Sequence, residues 1–346
     1  MRKNGSERVR TFSISFPGTS HDESKWSRLA AGFLGTDHTK QPVECGIEDL
    51  FSKMVRHFGE PFGDSSAIPT WRLCEMTRQH VTVALSGDGG DELFGGYERY
   101  LARRFQLLYD LLPSALRSKV IEPLVQSLPA TTDYYGTSAA KKLLLFVEAS
   151  RRIRDNPLAV VPRTFSAAQV AKLTGLRYQT DLDPVIAAAR QWMGLDPVSR
   201  MMLTDLQTYL AEDILTKVDR MSMAHALEVR CPLLDHRVVE FASRMPLSFK
   251  IRGLKTKRVL RDVAQGHVPA GIIGRSKYGF QIPLGSWFKR GLKDWAEQRL
   301  MECPHGIFDK GVVQELWKEH QLGHADHTHR LWLLIFFNEW HAQFHA

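Results

Sequence analysis

Strand and helix alternate over the first hundred residues, and that alternation restricts the chain to a parallel sheet with helical crossovers. Residues 9–16 (VRTFSISF) are rich in β-formers and stop at Pro17-Gly18, a turn pair. A helical stretch over residues 24–34 follows, then Gly35. Ile47, Leu50, Phe51, Met54, Val55 and Phe58 recur at helical spacing. Pro69 stands near the start of another helix reaching His80, and residues 81–85 (VTVAL) read as a short, fully buried strand. Beyond Tyr97 helical periodicity takes over, broken near Pro113, Pro129, Pro157, Pro184 and Pro197. Leu203, Leu206, Leu210, Ile214, Val218 and Met221 keep one apolar stripe, with Glu212, Asp213, Lys217 and Arg220 off it. The expected architecture is an α/β part over about residues 1–100 and a mainly helical part over about 101–346, folding as one unit.

At 346 residues, 43% hydrophobic and 24% charged, the chain can bury a core without disulfides or structural metals. Its most apolar stretch, residues 331–340, is too short for a membrane span and contains Asn338 and Glu339. The opening MRKNGSERVRTFSISF lacks an apolar signal region, so no secretory signal is expected. Four cysteines, Cys45, Cys74, Cys231 and Cys303, are far apart and read as buried thiols in a reducing cytoplasm. The net charge of +8 suits either a solvated basic surface or attraction to an anionic ligand such as a nucleotide or nucleic acid.

The segment richest in chemistry is residues 86–97, SGDGGDELFGGY, between the VTVAL strand and a helix. Open parallel sheets bind ligands at that position. Gly87, Gly89 and Gly90 allow close backbone approach, and successive N–H groups with a helix N-terminus can receive phosphate oxygens. Asp88, Asp91 and Glu92 would repel a bare phosphate, which calls for a bridging hard cation, Mg²⁺. No Lys follows as in a Walker loop, Glu92 stands where a dinucleotide fingerprint needs its third glycine, and the alternating ligands of a calcium loop are missing. The plain alternative is a tight turn with acidic capping of the next helix.

Two further clusters carry charge. In RSKYGFQIP (residues 275–283), Lys277 supplies a compact cation for a phosphate or a developing oxyanion. In KVDRMSMAHALEVRCPLLD (residues 217–235), read as a helix ended by Pro232, Arg230 and Asp235 flank the end and are placed to orient a zwitterionic or carboxylate substrate. A surface lysine and an ordinary amphipathic helix are the plain readings of each. His320, His324, His327 and His329 are spaced like metal ligands, but no zincin pattern accompanies them, and a polar helix end accounts for them.

Taken together, FSISFPG, LGTDH, EPFGDSSAIPTW, SGDGGDELFGGY, DRMSMAHALEVRCPLLDH, RSKYGFQIP and LWLLIFFNEW resemble the C-terminal synthetase domain of glutamine-hydrolysing asparagine synthetases, over nearly the whole chain. The resemblance implies an adenine-nucleotide α-hydrolase-like (ATP pyrophosphatase) fold. It also implies a ligase that uses ATP and Mg²⁺ to turn aspartate and ammonia into asparagine, AMP and pyrophosphate. On matching positions it implies that Ile14, Ser86 and Gly87 frame the nucleoside and that Asp91 holds Mg²⁺–pyrophosphate. Lys277 would neutralise phosphate charge, and Asp88, where some members carry Glu, would lie beside the acyl-adenylate. Asp235 is a further candidate for orienting the substrate. The family's Ser-Gly-Gly-x-Asp-Ser loop precedes FSISFPG, and its glutaminase half begins with a cysteine. Here residue 2 is Arg, so the pyrophosphate loop and the glutaminase domain are expected to be absent and activity deficient. The expected partners are a small carboxylate substrate and either a separate glutaminase or a second copy of the chain, without membrane or nucleic acid. The alternatives are a non-catalytic nucleotide-binding remnant or subunit, an amidotransferase acting on another acceptor, and a tRNA-modifying pyrophosphatase.

Overall fold

A computed structural model of the chain describes residues 8–19, 22–43, 46–128, 139–158, 163–275, 279–280 and 282–345. The fold is mixed α/β and mostly helical, with small parallel strand pairs. The chain divides into two compact units, the first built from Met1–Glu44, Ser66–Arg103 and Asp196–Ile282, the second from Cys45–Ser65, Arg104–Leu195 and Pro283–Ala346. The change from strand–helix alternation to helices alone, read near residue 100, falls where the chain leaves the first unit for the second.

In the first unit β1 (Arg10–Ser15) is followed by α1 (Ser24–Leu34), which ends at Gly35 with φ 62°, a left-handed cap that glycine adopts without a Cβ clash. The chain then forms β2 (Asp37–Pro42), parallel to β1 with Arg10 opposite Asp37 and Ser15 opposite Pro42. Periodicity gave no sign of β2, whose sequence DHTKQP is polar. Its His38 accounts for that polarity, lying 3.0 Å from the Thr11 hydroxyl and 3.1 Å from that of Ser13. Next come α2 (Ala67–Arg78), β3 (Val83–Leu85) and the short α3 (Gly90–Phe94). After the return from the second unit, α4 (Pro197–Gln207) and α5 (Thr216–Met223) lead to β4 (Glu228–Arg230), then α6 (His236–Arg244) and α7 (Arg258–Ala264). β4 pairs in parallel with β3, so the expected parallel sheet is present as two separate two-stranded pairs. Leu93 and Phe94 of α3 pack on Ala242 of α6, with Leu234, Val238 and Leu260 around them.

Two local expectations are corrected. Residues 81–85 are not fully buried: Val83 is 40% and Leu85 52% exposed, two residues apart on one face of a narrow pair. The helix read across residues 217–235 stops at Met223, and Ala226 turns with φ 52°. Pairing with β3 takes over from there, through Glu228 N–H to Thr82 O and Ser86 N–H to Arg230 O, each 2.9 Å. Lys217, off the apolar stripe, is nonetheless buried, its Nζ donating to Ser66 Oγ at 2.7 Å.

The second unit is helical. The helix Thr328–Phe344 buries Leu331, Trp332, Ile335 and Phe336 at 1% exposure or less. Phe51, on the helix Glu48–Phe58, meets Trp295, Trp332 and Phe336 edge-on at 5.1–5.8 Å. The apolar run at residues 331–340 is thus core. Its polar interruptions are tied down: Glu339 accepts from Ser52 at 2.6 Å and pairs with Arg299 at 3.0 Å, and Asn338 donates to Arg299 O at 2.9 Å. His320 is fully buried. Its Nδ1 accepts the His327 backbone N–H at 3.3 Å, and its Nε2 faces Gly285 O at 3.3 Å. Among the described residues no helix is long and apolar enough to cross a membrane.

Candidate active site

The glycine-rich segment leaves β3 at its C-terminal end. Ser86 is fixed twice, its N–H on Arg230 O and its hydroxyl donating to Asp88 Oδ2 at 2.7 Å. Gly89 turns the chain with φ 83°, and a Cβ there would lie 2.1 Å from Leu234 Cδ2, so both conformation and space demand glycine. At Gly87 a Cβ would meet nothing within 4 Å, so the backbone beside Ser86 and Asp88 faces open space. The helix that follows is only five residues long, and its Gly90 N–H is already directed at Gly87 O, which leaves a weaker anion-binding terminus than expected from sequence.

Asp91 is the polar centre of this region. Its Oδ1 lies 2.9 Å from Lys257 Nζ, with the side chains 14% and 29% exposed. Lys257 caps α7 with φ 50° and ψ 34°, a left-handed conformation that costs a non-glycine residue about 1–3 kcal/mol. Gly96 makes room for the pair: a Cβ there would stand 1.8 Å from Asp91 Oδ1 and 2.3 Å from Lys257 Cε. Beside Gly96 a cavity of about 260 Å³ is lined by Lys257, Leu260, Arg261, Ile273 and Arg275 among others.

Behind Asp91 lies a buried polar network. Glu92 accepts the Tyr97 hydroxyl, and burial drives its carboxyl above the usual range against that hydrogen bond. Burial likewise raises the Tyr97 phenol, assisted by Glu92. Arg99 lies 4.4 Å from the Tyr97 ring centre and 4.7 Å from that of Tyr209, and its Nη2 is 2.9 Å from Asp205 Oδ2. Tyr100 donates to the same oxygen at 2.6 Å.

Ser86, Gly87, Asp88 and Asp91, expected together from the sequence, share this loop and helix. Ile14 is buried on β1, in the other strand pair. Lys277 lies outside the described residues. Asp235 caps α6 and is bound by Arg237, at 3.0 Å from the backbone N–H and 2.9 Å from Nε, and those hydrogen bonds lower its carboxyl to about 2. Arg230 pairs with Glu228 at 2.7 Å. Cys74 and Cys303 are buried, and burial pushes the Cys74 thiol up to about 12. Cys231 is only half-buried, with its Sγ 3.3 Å from Ser86 Oγ. Sequence reading missed Lys257. Its one signal there is the basic run KTKR, which looks like a solvated surface until its backbone is seen.

A family model described as "Asparagine synthase" matches residues 1–342. The chain is 35% identical over 348 residues to "Putative asparagine synthetase (glutamine-hydrolyzing)" of Mycobacterium tuberculosis, covering 97% of this chain and 51% of that protein. It is 28% identical over 357 residues to "Asparagine synthetase (glutamine-hydrolyzing) 1" of Bacillus subtilis, covering 96% and 52%. It is 25% identical over 339 residues to "Amidase chyE" of Penicillium rubens, covering 89% and 49%. The chain thus spans about half the length of the curated relatives it matches. With a family model across almost every residue and an acidic, glycine-rich loop paired to a strained lysine, the chain belongs to the asparagine synthase family.

Proposed function

We propose that this chain is the synthetase half of an ATP-dependent, amide-forming ligase of the asparagine synthetase type, with an ATP pyrophosphatase fold. The observation that carries the reading is the Asp91–Lys257 pair beside the open backbone of Gly87. A carboxylate and an ammonium held together at the end of a glycine-rich loop are the two charges that a metal-bound polyphosphate needs. Mg²⁺ takes one or two carboxylates plus phosphate oxygens, so Asp91 with Asp88 nearby suits it; when bound it would neutralise phosphate charge. Ser86 and Gly87, with Ile14, frame the nucleoside. Lys257 and Lys277 offset charge on the departing pyrophosphate.

In this reading a carboxylate oxygen of the acceptor attacks the α-phosphorus and the bond to pyrophosphate breaks, giving an acyl-adenylate. The ammonia lone pair then attacks the acyl carbon, AMP leaves, and a proton is lost from nitrogen. The chain's contribution is positioning and fixed charge. Aspartate is the proposed acceptor, with ammonia from a separate glutaminase or a second copy, in a cytoplasmic setting. Similarity to a fungal amidase favours a second reading, amide formation on a different acceptor. The test is incubation with ATP, Mg²⁺, ammonium and aspartate, following AMP and pyrophosphate chromatographically and asparagine by amino-acid analysis. AMP formation dependent on aspartate supports the first reading. AMP formation with another carboxylate alone supports the second, and hydrolysis to ADP refutes both.

A further inference from the structure

One side chain outside the loop joins two separate stretches of backbone at this site. Arg261 lies four residues after Lys257, and its own N–H closes the first turn of α7 on Lys257 O at 2.9 Å. Its guanidinium folds back past that turn. Nε donates to Thr256 O at 2.9 Å, Nη1 donates to Ile273 O, and Nη2 donates to Arg275 O at 3.2 Å. A cation near a helix N-terminus opposes the helix dipole, so its location there runs against the local electrostatics of α7. Three carbonyl oxygens offset that cost, and they come from two stretches more than a dozen residues apart. One is Thr256, 8% exposed and directly before the left-handed Lys257. The other ends at Arg275, which is ion-paired to Glu23 and lies 5.0 Å from the Trp26 ring centre.

We propose that Arg261 is a positioning residue: its guanidinium locks the strained Lys257 turn, and so aims the Lys257 ammonium at Asp91, while holding the segment Ile273–Arg275 to the same turn. The inference rests on the reading of Asp91 and Lys257 as the polyphosphate end of the site. A guanidinium presents its donors in a rigid planar fork, whereas an ammonium is one point, so lysine cannot bridge the two stretches. In this proposal Arg261 acts through Lys257, whose turn it holds.

The test uses the full chain carrying Arg261→Lys, Arg261→Gln or Lys257→Met, with Mg²⁺-pyrophosphate and AMP as separate calorimetric probes. Hydrogen exchange of residues 256–275 and the melting temperature are read alongside. The expected result is that all three variants bind Mg²⁺-pyrophosphate roughly tenfold more weakly, with AMP affinity unchanged. Only the Arg261 variants should exchange faster at residues 256–258 and 273–275. Arg261 variants that bind pyrophosphate and exchange like the parent, while Lys257→Met is weakened, overturn the inference and leave the site reading intact. Equal loss of AMP and pyrophosphate affinity with a lowered melting temperature also overturns it, marking a merely structural role. Lys257→Met binding as the parent does, or no pyrophosphate binding by the parent, overturns the site reading and the inference with it.

Discussion

Two glycines nine residues apart, one on each side of α3, make opposite demands, and substituting each with alanine separates folding from ligand binding. At Gly96 the new Cβ falls 1.8 Å from Asp91 Oδ1 and 2.3 Å from Lys257 Cε, against the 3.4 Å at which ordinary contact begins. Both obstructing atoms belong to side chains, so the backbone can persist while the carboxylate and the ammonium are driven apart. The 2.9 Å pair is partly buried. Its loss should therefore fall between the ~1 kcal/mol of an exposed pair and the ~3–5 kcal/mol of a buried one, near about 2 kcal/mol. That corresponds to a melting temperature lower by roughly 4–8 °C for a cooperative unit of this size. At Gly87 the Cβ meets open space, and the backbone is not left-handed. Gly87→Ala should leave stability unchanged or raise it by about 0.4–1 kcal/mol, by restricting the unfolded chain. If Gly87 frames the nucleoside as proposed, the methyl should nonetheless weaken Mg²⁺-ATP binding by entering that open space. Differential scanning fluorimetry and calorimetry on both variants decide the matter. A Gly96→Ala protein as stable as its parent, or a Gly87→Ala protein that binds nucleotide as its parent does, refutes the reasoning.

Replacing Asp91 with Asn should weaken Mg²⁺-ATP by about 1–3 kcal/mol in calorimetry, since it removes one charge-assisted contact. Asp205→Ala leaves Arg99 without its buried counter-charge, and chemical denaturation should show a loss of about 3–5 kcal/mol. His320 gives a pH dependence of known sign. Burial lowers its folded pKa below the unfolded value near 6.5, so the unfolded state binds the extra proton first. Its share of stability is complete above 6.5 and is lost as pH falls from there toward the folded pKa. A urea midpoint independent of pH between 7.5 and 5 would contradict this, and a His320→Gln variant should show a flatter profile than the parent.

Where the chemistry is local the sequence was informative. Residues 24–34 form a helix with the expected ends, and Ser86, Gly87, Asp88 and Asp91 were expected in one loop because they are neighbours in the chain. β2 escaped notice because its sequence DHTKQP carries no apolar alternation, and its His38 bonds to Thr11 and Ser13 of β1 instead of filling a core. β4 was hidden inside a helical pattern, since its conformation is imposed by a partner strand far away in sequence. Lys257 and Arg261 were missed for the same reason. A positive φ at lysine and a guanidinium spread over three carbonyls are tertiary facts, and a run such as KTKRVLR reads as surface until the fold bends it inward.

The pairing of β3 with β4 also governs when the first unit can be completed. Ser86 and Cys231, in contact at the ends of these strands, are separated by 145 positions. At a translation rate of about 5–20 residues per second, the ribosome needs roughly 7–30 seconds to deliver the partner of a strand already outside the exit tunnel. Throughout that interval the backbone of β3 is an open edge carrying Val83 and Leu85, able to template pairing with a neighbouring nascent chain. Closing so long a loop is also entropically late, so this unit should reach its native state only once β4 has followed β3 out of the ribosome. Pulse-chase proteolysis should therefore find the β3–β4 region resistant only after Arg230 has been made, later than the β1–β2 pair. Soluble yield in a recombinant host should rise with slower initiation or added holdase chaperone, which reduce encounters between unfinished chains.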